Sequence, residues 1–166
     1  MTSPNDEYQT RQEIIDCLTR CARGVDRLDD DLILSAYHAD AVDHHGSFVG
    51  NPKEFISWLR QRHTRRVGAQ HYLTNHVFDI DGDTAHVETY FMTPDRSSDR
   101  SGVRLVGGRY VDRFDRRANE WKIAVRVLVI EWQLAAEEMP IEKKAEIGVR
   151  DRSDISYLRP LQSPAN

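Results

Sequence analysis

The chain has 166 residues, 39% of them hydrophobic and 30% charged, with a formal net charge of −4. That is enough for one domain with its own core and too little for two ordinary ones. The mild acidity speaks against nucleic acid as a partner, no stretch approaches the ~20 apolar residues of a membrane span, and the polar start MTSPNDEYQT carries no signal-peptide core, so a cytoplasmic protein is expected.

Residues 1–7 read as a frayed end. From Tyr8 to Leu28 the residues Ile14, Leu18, Cys21, Ala22, Val25 and Leu28 recur at three and four, the apolar stripe of a helix. Cys17 and Cys21 lie four residues apart in this helix, Cys21 on the stripe, a poor geometry for a disulfide, and read as buried or half-buried thiols. Asp26 sits at the stripe's edge. Asp29-Asp30-Asp31 breaks this helix and caps a short second one over 32–37. A short strand is expected over 41–45 and a loop over 46–50. Asn51-Pro52-Lys53-Glu54 combines a cap, a first-position proline and a third-position glutamate. It opens a helix to about Arg65 that buries Phe55, Trp58 and Leu59.

The stretch QHYLTNHVFDIDGDTAHVETYF, residues 70–91, reads as a hairpin turning at Asp81-Gly82. With that turn, Asn75 pairs with Glu88, Leu73 with Tyr90 and His71 with Met92. Strict alternation then puts His71, Leu73, Asn75, Glu88 and Tyr90 on one face, the lining of a cavity. Residues 94–102 read as a polar loop and 103–115 as a long strand bent at Gly107-Gly108. Residues 116–119 are a turn, and WKIAVRVLVIEW, 121–132, is the most strand-like run. The domain is taken as 1–136. The charged, proline-bearing remainder, 137–166, is expected to extend over a neighbouring subunit. Helices followed by long antiparallel strands give an α+β fold, with a curved sheet wrapped around the long N-terminal helix and a pocket between them.

Asp26 and His71 are the leading pair for chemistry. A histidine suits proton abstraction near neutrality, and a carboxylate on one ring nitrogen fixes its tautomer and supports the imidazolium. No nucleophile accompanies them, so proton abstraction followed by loss of a leaving group is the natural use. The competing reading is a structural histidine on a strand. Arg126, a cation among apolar neighbours, is a candidate to hold a developing oxyanion or leaving group; the alternative is an arginine ion-paired with Glu88 or Asp26. Tyr37, His45, Trp58, Asn75, Tyr90 and Trp132 are candidate substrate contacts. His44 and His45 point to opposite faces of a strand, so no metal site is read there.

Several of these segments together resemble a known family. Gly24-Val25-Asp26, His71-Tyr72-Leu73-Thr74-Asn75, the run 106–114 (VGGRYVDRF) and Glu120-Trp121-Lys122-Ile123 are similar to the SnoaL-like branch of the nuclear-transport-factor-2-like superfamily. The resemblance covers about residues 8–134. It implies a cone-shaped α+β barrel. It also implies kinship with hexachlorocyclohexane dehydrochlorinase, scytalone dehydratase and bile-acid 7α-dehydratase, whose aspartate-supported histidine is matched by Asp26 and His71. The activity implied by the resemblance is that of a lyase free of metal and organic cofactor, acting on a small hydrophobic or aromatic substrate. Isomerases, cyclases and non-catalytic binders also occur among the relatives. The apolar outer sheet face adds the expectation of a homo-oligomer, a dimer or trimer.

Overall fold

The computed structural model describes residues 4–98, 102–141 and 147–161. Its elements run α1 (Pro4–Arg27), α2 (Asp30–Ala36), β1 (Tyr37–His45), β2 (Phe48–Gly50), α3 (Pro52–Arg62), β3 (Arg66–Ala69), β4 (Tyr72–Asp81), β5 (Thr84–Ser97), β6 (Val103–Arg117) and β7 (Glu120–Ala136). The sheet is ordered β2-β1-β7-β6-β5-β3, with β4 also on β5. Only the β1–β7 pair is parallel among the described strands. The result is three helices against a strongly curled mixed sheet, the α+β cone expected from the sequence.

Side-chain patterning explains the packing. Ile14, Cys17, Leu18, Cys21 and Val25 of α1 are buried against Phe55 and Leu59 of α3 and Val87, Phe114 and Ile123 of the sheet. Both cysteines are free thiols in this core, and burial pushes Cys17 up to about 12. Gly24 lets α2 approach: a Cβ there would strike Ile33. The Asp29 side chain accepts from the Leu32 amide and caps α2. In α3, Asn51 and Glu54 exchange side-chain and backbone hydrogen bonds as a complete capping box.

The elements differ from the expected ones mainly at their ends. α1 begins at Pro4, so described residues expected to fray are helical. β1 starts at Tyr37, β2 occupies part of the expected loop, and β5 continues through Pro94 to Ser97. Residues 99–101 of the expected polar loop lie outside the described residues.

The central hairpin needs two corrections. Its turn is Gly82-Asp83, with Asp81 facing Thr84, so the register is not the one counted from Asp81-Gly82. Gly82 carries the positive φ of +57° that the first turn position demands. Then Asn75 forms a bulge at φ +22°, between the Thr74–Tyr90 and His76–Thr89 pairs. The extra residue reverses the alternation. Leu73 faces inward and pairs with Phe91, while His76, Phe78 and Ile80 take the inward places beyond the bulge.

The tail is described over residues 137–141 and 147–161. The second of these parts, 147–161, docks on its own chain. Arg152 and Tyr157 bond Asp29, Ser156 bonds Arg23, and Asp154 approaches Arg27. Residues 142–146 and 162–166 of the tail lie outside the described residues.

Candidate active site

Asp26 is the penultimate residue of α1, and His71 stands immediately before β4. The Asp26 carboxylate takes hold of His71 twice. Oδ1 lies 2.6 Å from Nδ1, and Oδ2 accepts the His71 backbone N–H at 3.0 Å. A carboxylate beside Nδ1 assigns the ring proton to that nitrogen and leaves Nε2 as the acceptor. His71 lines a cavity of about 270 Å³ and also borders an outer groove, whereas Asp26 lies behind it and touches the groove alone. Nε2 is therefore the nitrogen turned toward the cavity. An engineered cavity of about 150 Å³ takes benzene, so this one has room for a substituted ring.

Leu18, Ala22, Leu73, Phe91, Val106 and Leu128 supply an apolar wall. The lining residues that also reach solvent, Gly46, Ser47, Arg62 and Ile130, mark the mouth.

The opposite end of the cavity is a buried polar chain. Arg126, 4% exposed, donates from Nε and Nη2 to the two oxygens of Asp112 at 2.8 and 2.7 Å. Its Nη1 faces Cys21 Sγ and Tyr37 Oη, both at 3.4 Å. Tyr37 in turn donates to Asp43 at 2.6 Å, and His45 Nδ1 lies 3.3 Å from that aspartate. Burial works against the Arg126 charge, but Asp112, Tyr37 and Cys21 together hold the guanidinium well above its ordinary pKa. Arg126 is thus ion-paired with Asp112, neither of the two partners considered from the sequence.

Of the candidate contacts, Tyr37, His45 and Trp58 line the cavity together with His71 and Arg126. The His45 ring packs 5.1 Å from Phe55 and 5.7 Å from Trp58. Asn75, Tyr90 and Trp132 do not line it. The bulge turns Asn75 to solvent. Tyr90 points from the outer sheet face, its ring under Arg109. Trp132 lies over Gly107, where a Cβ would collide with the indole; the register shift at Gly107-Gly108 takes it out of phase with Ile130. Among the described residues no three metal-ligating side chains converge.

Several lining residues were not anticipated as site residues, among them Tyr110, Arg62 and His63. Tyr110 is buried beneath Arg126, whose guanidinium sits 4.2 Å from its ring centre. Its hydroxyl has no hydrogen-bond partner among the described residues, and burial raises its pKa. Arg62 lies 5.0 Å from the Trp58 ring centre. His63 is enclosed between two guanidiniums: Arg66 Nη1 is 2.8 Å from Nε2, and Arg150 Nη2 is 2.9 Å from Nδ1. A neutral imidazole has one lone-pair nitrogen, so only one of these contacts is a hydrogen bond at a time. Arg150 belongs to the tail and also donates to the carbonyls of Val25 and Asp26, at 2.8 and 2.9 Å. It thereby ties off the last turn of the helix that carries Asp26.

Burial, then the charges of Arg66 and Arg150, push His63 down to about 2. The unfolded ring titrates near 6.5, so below that pH the unfolded chain binds a proton that the folded chain refuses. Stability is complete above pH 6.5 and falls as pH falls, by about 2 kcal/mol at pH 5. Thermal melts of the wild type should drop between pH 7 and 5, and His63→Gln should lose most of that slope.

The SnoaL-like domain model matches residues 6–127 of the sequence. The sequence matches no curated protein. Among solved structures, hexachlorocyclohexane dehydrochlorinase LinA-type3 from Novosphingobium barchaimii is similar at a TM-score of 0.76 and 18% identity, covering 84% of this chain and 100% of that one. A scytalone dehydratase-like protein from Novosphingobium aromaticivorans gives 0.72 and 15%, covering 84% and 97%. The Kfla4162 protein of Kribbella flavida gives 0.71 and 22%, covering 78% and 95%. The fold is therefore shared with a dehydrochlorinase and a protein described as a dehydratase. With three quarters of its length matched by the domain model, the chain belongs to the SnoaL-like family of the nuclear-transport-factor-2-like superfamily.

Proposed function

We infer that the protein is a cofactor-independent lyase in which His71, supported by Asp26, removes a proton from a small ring-bearing substrate and a leaving group departs. The observation that carries this reading is the 2.6 Å contact of Asp26 with Nδ1 of a histidine whose ring lines an apolar cavity. A base needs a free lone pair, a group to stabilise its conjugate acid, and a site poor in water; these residues supply all three. The Arg126 guanidinium is committed to Asp112, so it contributes positive charge at the far end of the cavity more than a free donor. The Tyr110 hydroxyl is the donor that faces the departing water, halide or aldehyde oxygen.

Incubating the protein with a panel of hydroxylated and halogenated cyclic compounds and tracking mass tests this directly. Elimination removes a fragment, whereas an isomerase or cyclase returns the proton and conserves mass. Product of unchanged mass would replace the lyase with that second chemistry on the same dyad.

The oligomer is assigned to the outer sheet face. Tyr90, Met92, Val111, Val127 and Trp132 are exposed there, beside the Glu88–Arg109–Glu131 ion network. Sedimentation at micromolar concentration should show a species larger than the monomer, and a monomer would remove the assignment.

A further inference from the structure

We propose that the substrate bears an anionic group, a carboxylate, that seats against Arg62, Arg66, Arg104 and Thr93 while its ring fills the apolar wall. This rests on the cavity being the substrate site, and it adds the class of molecule the cavity accepts.

The charges around the cavity are unevenly distributed. At the Arg126 end the guanidinium faces the carboxyl groups of Asp112 and Asp43, the latter through Tyr37. At the other end, formed by α3, β3, β5 and β6, cations outnumber acids among the described residues. Arg66 and Arg104 share the single carboxylate of Asp95, at 3.1 and 2.9 Å. Arg150 adds a fourth guanidinium to this end and bonds backbone carbonyls and His63. Asp26, a further acid near this end, is bound to His71. Arg62 rests on Trp58 and has no carboxylate partner among the described residues.

Hydrogen-bond donors are in surplus at the same place. Thr93, 7% exposed, presents a buried hydroxyl with no partner among the described residues. The Nε of Arg104 is likewise buried without an acceptor. Both residues line the cavity, and they flank Asp95 on adjacent strands, since Asp95 pairs with Arg104 and Thr93 with Val106. His63 brings a further donor conflict, being faced by two guanidiniums. Buried donors without acceptors are costly in a folded protein. A carboxylate offers two acceptor oxygens and about four lone-pair sites, which answers the excess of charge and the excess of donors together. Arg62, exposed at the mouth, is placed to meet such a group first.

Benzoate, cinnamate and 2-naphthoate, each compared with its neutral amide, provide unreactive probes. Each is titrated calorimetrically into the wild type, Arg62→Gln and His71→Ala. At low salt at least one acid should bind about tenfold or more tightly than its amide, the scale of one charge-assisted hydrogen bond. The preference should shrink several-fold in Arg62→Gln and in about 0.5 M salt, and should persist in His71→Ala. The proposal is overturned if no acid is preferred, if none binds, or if Arg62→Gln leaves the preference intact. None of the probes has a leaving group, so the outcome is independent of the elimination. A protein that prefers acids and eliminates nothing would retain this inference and lose the lyase.

Discussion

His71→Ala should lower turnover by about 10²–10⁴-fold, the range for loss of a positioned general base, with little change in melting temperature. The ring is a lining group, partly open to the cavity, and its one strong side-chain contact is Asp26. Removing it leaves α1 and β4 in place. Asp26→Asn is the more discriminating companion. The Asp26 carboxylate accepts both the backbone N–H and the ring N–H of His71. An asparagine oxygen can keep the first contact, but its NH₂ then faces Nδ1. That forces the ring proton onto Nε2 and removes the lone pair from the substrate side. Turnover should fall in this variant too, with KM almost unchanged. Mass-resolved turnover of the substrate found in the screen checks both variants, and full activity in His71→Ala would refute the assignment.

The largest effect on stability is expected at Asp112. Truncating it to alanine strands the Arg126 guanidinium at 4% exposure without its bidentate partner. Removing one member of a buried ion pair costs about 3–5 kcal/mol, because a charge is left behind in a medium that solvates it poorly. Against the 5–15 kcal/mol typical of whole domains that is a severe loss, visible as a large drop in the urea midpoint. Replacing both residues with apolar ones of similar volume, Asp112→Leu with Arg126→Met, should recover much of it, since no charge remains to be buried. A single variant within about 1 kcal/mol of the wild type would mean that the guanidinium finds water through the cavity.

The parts of the structure written in short-range patterns were legible from the sequence. The stripe of α1, the capping box of α3, the spacing of the β5–β7 strands and the fold class all derive from local periodicity. The errors came from single extra residues. An Asp-Gly-Asp run does not say which two residues make the turn. Asn75 adds one residue to β4, and its tolerance of positive φ was the only clue. Together these placed Asn75 and Tyr90 in a cavity they do not line. The shift at Gly107-Gly108 did the same for Trp132. A strict count from the Ala118-Asn119 turn puts Val111 opposite Arg126. The irregularity between Arg113 and Phe114 instead brings Asp112 there, which is why the ion pair was not found by counting. Arg62, His63 and Arg150 gather at the cavity only through tertiary folding, and no local pattern announces that.

The grip of Arg150 on the end of α1 spans 124 residues of sequence. A connection that long is closed only after the sheet between its ends has assembled, because the entropy of joining distant segments must first be offset by the contacts that bring them near. Helix and strands can therefore be native while the Asp26 turn is still unfastened, and the pocket should mature late in folding. The same ordering runs backwards under stress: the dyad should loosen before the barrel does.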